Sequence, residues 1–125
     1  KNILVAEDTE SNYLYISTIL AETNANVIWA RNGEEAVNAT LGGTVPVDLV
    51  LMDIQMPVMD GFEAVAAIRK QNPEVPIIAQ TAYALPHDNL RCFEVGCNDY
   101  ISKPINALLL KQKINELLNA YIKNS

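Results

Sequence analysis

Cysteine, histidine and tryptophan are scarce in this sequence: two, one and one among 125 residues. Cys92 and Cys97 are too few for a disulfide scaffold, and their spacing matches neither CxxC nor the Cys/His patterns of a zinc site. They read as ordinary helix and helix-end residues in a reducing, cytoplasmic setting. His87 has Asp88 beside it but no serine or cysteine nucleophile motif to serve, so it reads as an exposed residue opening a helix. No apolar run approaches the roughly 20 residues that cross a bilayer, and no signal-peptide pattern opens the chain. No membrane contact by this domain is expected. Basic residues are outnumbered, nine Lys and Arg against fifteen Asp and Glu, and the net charge of −6 disfavours direct contact with nucleic acid. Internal repeats, low-complexity tracts and linkers are missing too.

What is present is the profile of a folded chain: 50% hydrophobic and 19% charged residues, at a length that suits one domain. The sequence opens at Lys1 without methionine and stops at Asn124-Ser125, just past a helical pattern. It is expected to be a single module, residues 1–125, cut from a longer protein.

Five apolar runs alternate with helical patterns. The predicted strands are Ile3–Ala6, Asn26–Ala30, Leu49–Met52, Ile77–Gln80 and Asp99–Ile101. The first, third and fourth are nearly continuous in apolar residues, the mark of strands covered on both faces in a parallel sheet. The last helix is clearest, with Leu110, Ile114, Leu117, Leu118 and Tyr121 on one stripe. Phe62, Val65 and Ile68 form a second stripe, and Ala36, Val37, Thr40 and Leu41 a third. A helix from about Ser11 to Glu22 is expected to bury Leu14, Ile19 and Leu20. Gly42-Gly43 and Gly96 end helices, and Pro76 opens the fourth strand. This alternation predicts an α/β fold: a flavodoxin-like, three-layer (βα)5 sandwich with a five-stranded parallel sheet of order 2-1-3-4-5. Ligands of such sheets bind beyond the carboxyl ends of the strands.

Polar groups gather at those ends. Glu7 and Asp8 follow the first strand, Asp53 the third and Thr81 the fourth, while Lys103 lies just past the fifth. Strands one and three are neighbours in this order, so the three carboxylates should sit together. Two unit charges about 4 Å apart repel by roughly 4 kcal/mol at an effective dielectric near 20, which makes a cluster of three ready to hold a proton or a cation. Hard oxygen ligands with open positions suit Mg²⁺. Cation, ammonium and hydroxyl around one carboxylate suit phosphoryl transfer, where the moving group needs positioning and neutralisation. Asp53, between the acidic pair and the Thr81–Lys103 side, is the candidate nucleophile.

Glu7-Asp8, the stretch DIQMPVMDG from Asp53 to Gly61, Thr81-Ala82, Tyr100 and Lys103-Pro104 resemble the receiver domains of two-component response regulators. The resemblance runs essentially from end to end, and DIQMPVMDG is most similar to receivers of hybrid sensor histidine kinases. It implies that Asp53 accepts a phosphoryl group from a phosphohistidine on a histidine kinase or histidine phosphotransfer domain. It implies Mg²⁺ (or Mn²⁺) held by Asp8, Asp53 and the backbone carbonyl of Gln55, with Glu7 acting through water. Lys103 would pair with Asp53 and then with the phosphoryl group, across a cis bond to Pro104. Thr81 and Tyr100 would form the switch, altering the face of helix four, strand five and helix five, through which a homodimer could form. Donor docking would use Ser11, Asn12 and Tyr15 with the loop near Pro104, and Tyr83 and Gln55 would tune hydrolysis. Many receivers carry two aspartates where this chain has Glu7-Asp8; glutamate keeps the charge and adds a methylene.

Taken singly, these residues also have plainer readings. Glu7-Asp8 suits a helix entry, Thr81 a strand end and Tyr100 a half-buried strand position. Met56, Met59 and Phe62 suit packing, while Pro57 and Gly61 shape the loop after Asp53. Among other functions, an aspartyl-phosphate hydrolase would need an acid where Gln55 stands. A flavodoxin-like carrier would need a phosphate-friendly turn where Glu7 and Asp8 repel anions. A degenerate receiver serving as a scaffold would not need Asp8, Asp53, Thr81 and Lys103.

Overall fold

Each strand divides its side chains between two helical layers, and this explains the continuous apolar runs. The structure, a computed structural model, describes the backbone of residues 1–82 and 86–124 and the side chains of all these except 86–88 and 120–124. The expectations for Tyr83, for the exposure of His87 and for the Tyr121 side chain fall outside the described residues. The elements run β1 (Asn2–Ala6), α1 (Glu10–Ala21), β2 (Asn26–Ala30), α2 (Gly33–Gly42) and β3 (Leu49–Asp53). They continue with α3 (Gly61–Gln71), β4 (Ile77–Thr81), α4 (Pro86–Val95), β5 (Asp99–Ser102) and α5 (Ala107–Asn124). The five strands form one sheet of order β2-β1-β3-β4-β5 with every pairing parallel, as the alternation predicted.

Ile3, Val5, Leu49, Leu51, Ile78 and Ile101 face Ile16, Ile19 and Leu20 of α1 and Leu110 and Ile114 of α5. Their alternates Leu4, Ala6, Val50, Met52, Ile77 and Ala79 face Ala36 of α2, Ala64, Val65 and Ile68 of α3, and Cys92 of α4. Both cysteines are buried, and Cys97 lies just beyond α4 in the same core. Burial pushes the Cys97 thiol up to about 12, which leaves it an apolar packing group at neutral pH. Met56, Met59 and Phe62 pack against that core as expected.

One predicted core residue is misplaced. Leu14 is 52% exposed, and α1 instead buries Ile16 with Ile19 and Leu20. Tyr13, Leu14, Tyr15 and Ile16 are four apolar residues in succession, so the sequence period does not fix which one faces inward.

The ends of the elements are held by local chemistry. Asn32 and Asp60 cap α2 and α3, accepting from the amides of Glu35 at 2.8 Å and Glu63 at 2.9 Å. Gly96, at φ +117°, takes the chain out of α4. Gly61 acts through close approach rather than conformation: a Cβ there would lie 2.4 Å from the Asp53 carbonyl oxygen. The left-handed residue of that loop is Val58, at φ +69°. No helix among the described residues is long and apolar enough to cross a membrane.

Candidate functional site

Register alone brings the site residues to one edge. Ala6 pairs with Met52, Asp53 with Gln80, and Thr81 with Ser102, so four strands end at nearly the same height. Asp53 and Thr81 are the last residues of their strands, and Glu7 prolongs β1 by donating its amide to Ala30 at 2.9 Å.

The side chains converge there. Carboxylate oxygens of Glu7, Asp8 and Asp53 all lie within 4.8 Å of one another. Asp53 is 1% exposed and fully engaged: Oδ2 accepts from Lys103 Nζ at 2.8 Å and Oδ1 from the Gln55 amide at 2.9 Å. Lys103 is steered by its own backbone, whose amide donates to the Thr81 carbonyl at 2.8 Å, and its peptide bond to Pro104 is cis. Its ammonium also lies 3.7 Å from Glu7 Oε2. Asp8 is exposed and lines an open cleft with Gln55 and Thr81.

Glu7 is the electrostatic oddity. Its side chain is wholly buried, and its Oε2 has no hydrogen-bond partner among the described residues. Among the described residues its Oε1 accepts from the Thr9 amide at 3.3 Å and from Asn12 Nδ2 at 3.5 Å. Burial first, and the neighbouring Asp53 charge second, raise its pKa from 4.5 to about 7, against the opposing pull of Lys103. One ammonium therefore does not balance the cluster. A divalent cation fits what is present, which is hard oxygen donors crowded together with one buried carboxylate oxygen lacking a hydrogen-bond partner among the described residues.

Tyr100 is not drawn into this cluster. Its half-buried ring meets Phe93 edge-on, with centroids 6.0 Å apart, and lies 5.9 Å from Lys113 Nζ. Three contributors escaped the sequence reading. Trp29 Nε1 donates to the Glu7 carbonyl at 2.8 Å. Arg91 stands with its guanidinium 4.0 Å above the Phe62 ring and lines the cleft beside Asp8 and Thr81. Gln80 is a fully buried amide one residue before the β4 terminus.

A doubly wound sheet carrying a carboxylate cluster and a lysine at its carboxyl edge places the candidate site in the crevice where proteins of this fold class bind ligands. Residues 3–115 match the family model for the response regulator receiver domain, and the chain belongs to that family. It is 36% identical to hybrid signal transduction histidine kinase I of Dictyostelium discoideum, over 100% of this chain and 8% of that protein. The chain thus spans a small fraction of such relatives. A receiver domain of a sensor histidine kinase from Pseudomonas aeruginosa PAO1, solved with a magnesium ion coordinated in its active site cleft, superposes with a TM-score of 0.86 at 34% identity. The two cover 95% of this chain and 98% of that one. The Saccharomyces cerevisiae Ssk1 receiver, co-crystallised with the histidine phosphotransfer protein Ypd1, gives a TM-score of 0.83 at 34% identity, over 93% and 87% of the chains. The chain is a receiver domain of two-component phosphorelay signalling, of the kind found in hybrid histidine kinases.

Proposed function

We propose that Asp53 is the phosphoacceptor. A carboxylate oxygen of Asp53 attacks the phosphorus of a phosphohistidine on a histidine kinase or histidine phosphotransfer protein. The P–N bond breaks as the acyl-phosphate P–O bond forms, and the electron pair leaves with the imidazole. The observation that carries this reading is the 2.8 Å pairing of Asp53 with Lys103 inside a cluster of three carboxylates. Lys103 holds the carboxylate in place and then neutralises the transferred group. Thr81, at the cleft wall, supplies a hydroxyl to a phosphoryl oxygen. Asp8 and Asp53 with the Gln55 carbonyl would hold Mg²⁺ or Mn²⁺, Glu7 acting through water. When bound, the ion supplies charge neutralisation at the phosphoryl oxygens.

The domain catalyses its own phosphorylation and dephosphorylation. The new charge draws Thr81 inward, Tyr100 follows, and the face of α4, β5 and α5 changes, with dimerisation through that face as one readout. Donor docking uses α1 at Ser11, Asn12 and Tyr15 with the loop at Pro104. In support, the Tyr15 hydroxyl donates to the Ile105 carbonyl at 2.8 Å, tying those two segments together. The setting is cytoplasmic.

The test is transfer from a labelled phosphohistidine donor to the wild type and to Asp53→Asn. Label on the wild type alone supports the reading. Equal labelling of both, or of neither, overturns it, the latter in favour of a scaffold.

A further inference from the structure

On the α1/α5 side of the sheet, a buried polar residue stands where the pattern calls for an apolar one. Ile78 faces that core, so Gln80, two residues on, faces it as well. Gln80 is 0% exposed, and neither its Nε2 nor its Oε1 has a hydrogen-bond partner among the described residues. A primary amide offers two donors and an acceptor oxygen, and burying all of them unmatched is a defect that native proteins rarely keep without a use.

The amide borders a partly open pocket of about 90 Å³, walled by Asn12, Tyr15, Ile16, Gln80, Lys103, Pro104 and Ile105, with exposed Asn12, Tyr15 and Pro104 at its rim and buried Gln80 and Ile16 at its base. That space is too small for a cofactor, which needs roughly 300 Å³ or more. It suits a few waters, each occupying about 30 Å³ in the liquid, and its polar walls supply the partners an ordered water requires. Two of these walls already belong to the phosphorylation site: Asn12 reaches Glu7 at 3.5 Å, and Lys103 reaches Asp53 at 2.8 Å. An ammonium has three donors, and Asp53 and Glu7 account for two of its neighbours on the site side.

We infer that Gln80 binds ordered water at the base of this pocket and, through it, positions the Lys103 ammonium against Asp53. Gln80 touches neither donor nor phosphoryl group; it is a positioning residue behind the lysine. The kinetic arm of the test rests on Asp53 as acceptor, while the crystallographic arm does not.

The experiment compares the wild-type chain with Gln80→Met, which keeps the length of the side chain and removes its polar atoms. High-resolution crystals of the wild type should show water within hydrogen-bond distance of both the Gln80 amide and Lys103 Nζ, and the variant should lose it. Gln80→Met should be about as stable as the wild type, because it keeps the length of the side chain and an amide–water hydrogen bond adds little net stability. Its first-order phosphorylation rate at saturating acetyl phosphate should nevertheless fall roughly five-fold, about the worth of one hydrogen bond, with the half-saturating concentration unchanged. A dry pocket base, or an unchanged rate in a stable variant, overturns the inference. A wild type that takes no phosphoryl group from acetyl phosphate or from a phosphohistidine donor overturns the Asp53 reading instead, and the crystals still decide the water site.

Discussion

Trp29 Nε1 and the Glu7 carbonyl, 2.8 Å apart, join the second strand to the first acidic residue of the site across 22 positions of sequence. The indole is held in turn by Tyr13, stacked at 4.2 Å, and by the Arg31 guanidinium at 4.4 Å from the ring centroid. As the sole tryptophan, Trp29 reports on the backbone from which Glu7 and Asp8 project. Titration with MgCl₂ should change its fluorescence saturably, and Asp8→Asn should abolish the change. Trp29→Phe should cost about 1 kcal/mol of stability by loss of the hydrogen bond. An emission indifferent to Mg²⁺ counts against cation binding at this cluster.

Glu7 gives the metal-free protein a characteristic pH response. Its folded pKa of about 7 lies above the ordinary 4.5, so the fold favours the protonated acid. Between those values the unfolded chain has lost a proton that the folded chain retains, and stability falls as pH rises. The penalty is absent below pH 4.5 and complete above pH 7, with an upper bound of about 3 kcal/mol. Urea denaturation in EDTA across this window should therefore show a decline that Glu7→Gln flattens. Parallel profiles for the two proteins would contradict the assignment.

Lys103 is the protein's own counter-charge to Asp53 and Glu7. Lys103→Met leaves two buried carboxylates facing each other, and truncating one partner of such a pair costs roughly 3–5 kcal/mol. Saturating Mg²⁺ should recover part of this loss, because a divalent cation supplies the missing charge. Denaturation with and without Mg²⁺ checks both halves, and equal loss in both conditions would count against a shared role.

Val58 sits at φ +69° with a β-branched side chain 77% exposed, in the loop just after Asp53. Such a conformation costs on the order of 1–2 kcal/mol for an L-residue other than glycine or asparagine. Val58→Asn should raise stability by about 1 kcal/mol in thermal melts and leave phosphorylation intact. A stabilised variant that phosphorylates more slowly would show that the strain serves the chemistry.

Much of this was written in local pattern. The continuous apolar runs ending in Asp53 and Thr81 mark strands buried on both sides, and parallel order then places their polar ends on one edge. What was not legible depends on partners distant in sequence. Nothing local says that Trp29 bonds the Glu7 carbonyl, that Arg91 lies over Phe62, or that the Gln80 amide faces a pocket beside Lys103. Leu14 failed for the opposite reason: four consecutive apolar residues fit several helical phases, and only packing against α5 and the sheet selects Ile16. Gly61 was read as permitting a strained turn, but it opens α3 with no positive φ, and what requires glycine there is the Asp53 carbonyl that a Cβ would meet.

The central claim is that Asp53 is the acceptor and needs the cation its neighbours are arranged to hold. Intact-mass spectrometry after incubation with acetyl phosphate, with Mg²⁺ or EDTA, tests it on the wild type and Asp53→Asn. The account predicts a single phosphoryl adduct on the wild type, dependent on Mg²⁺ and lost in the variant. An adduct that persists in Asp53→Asn, or that forms equally well in EDTA, would contradict it.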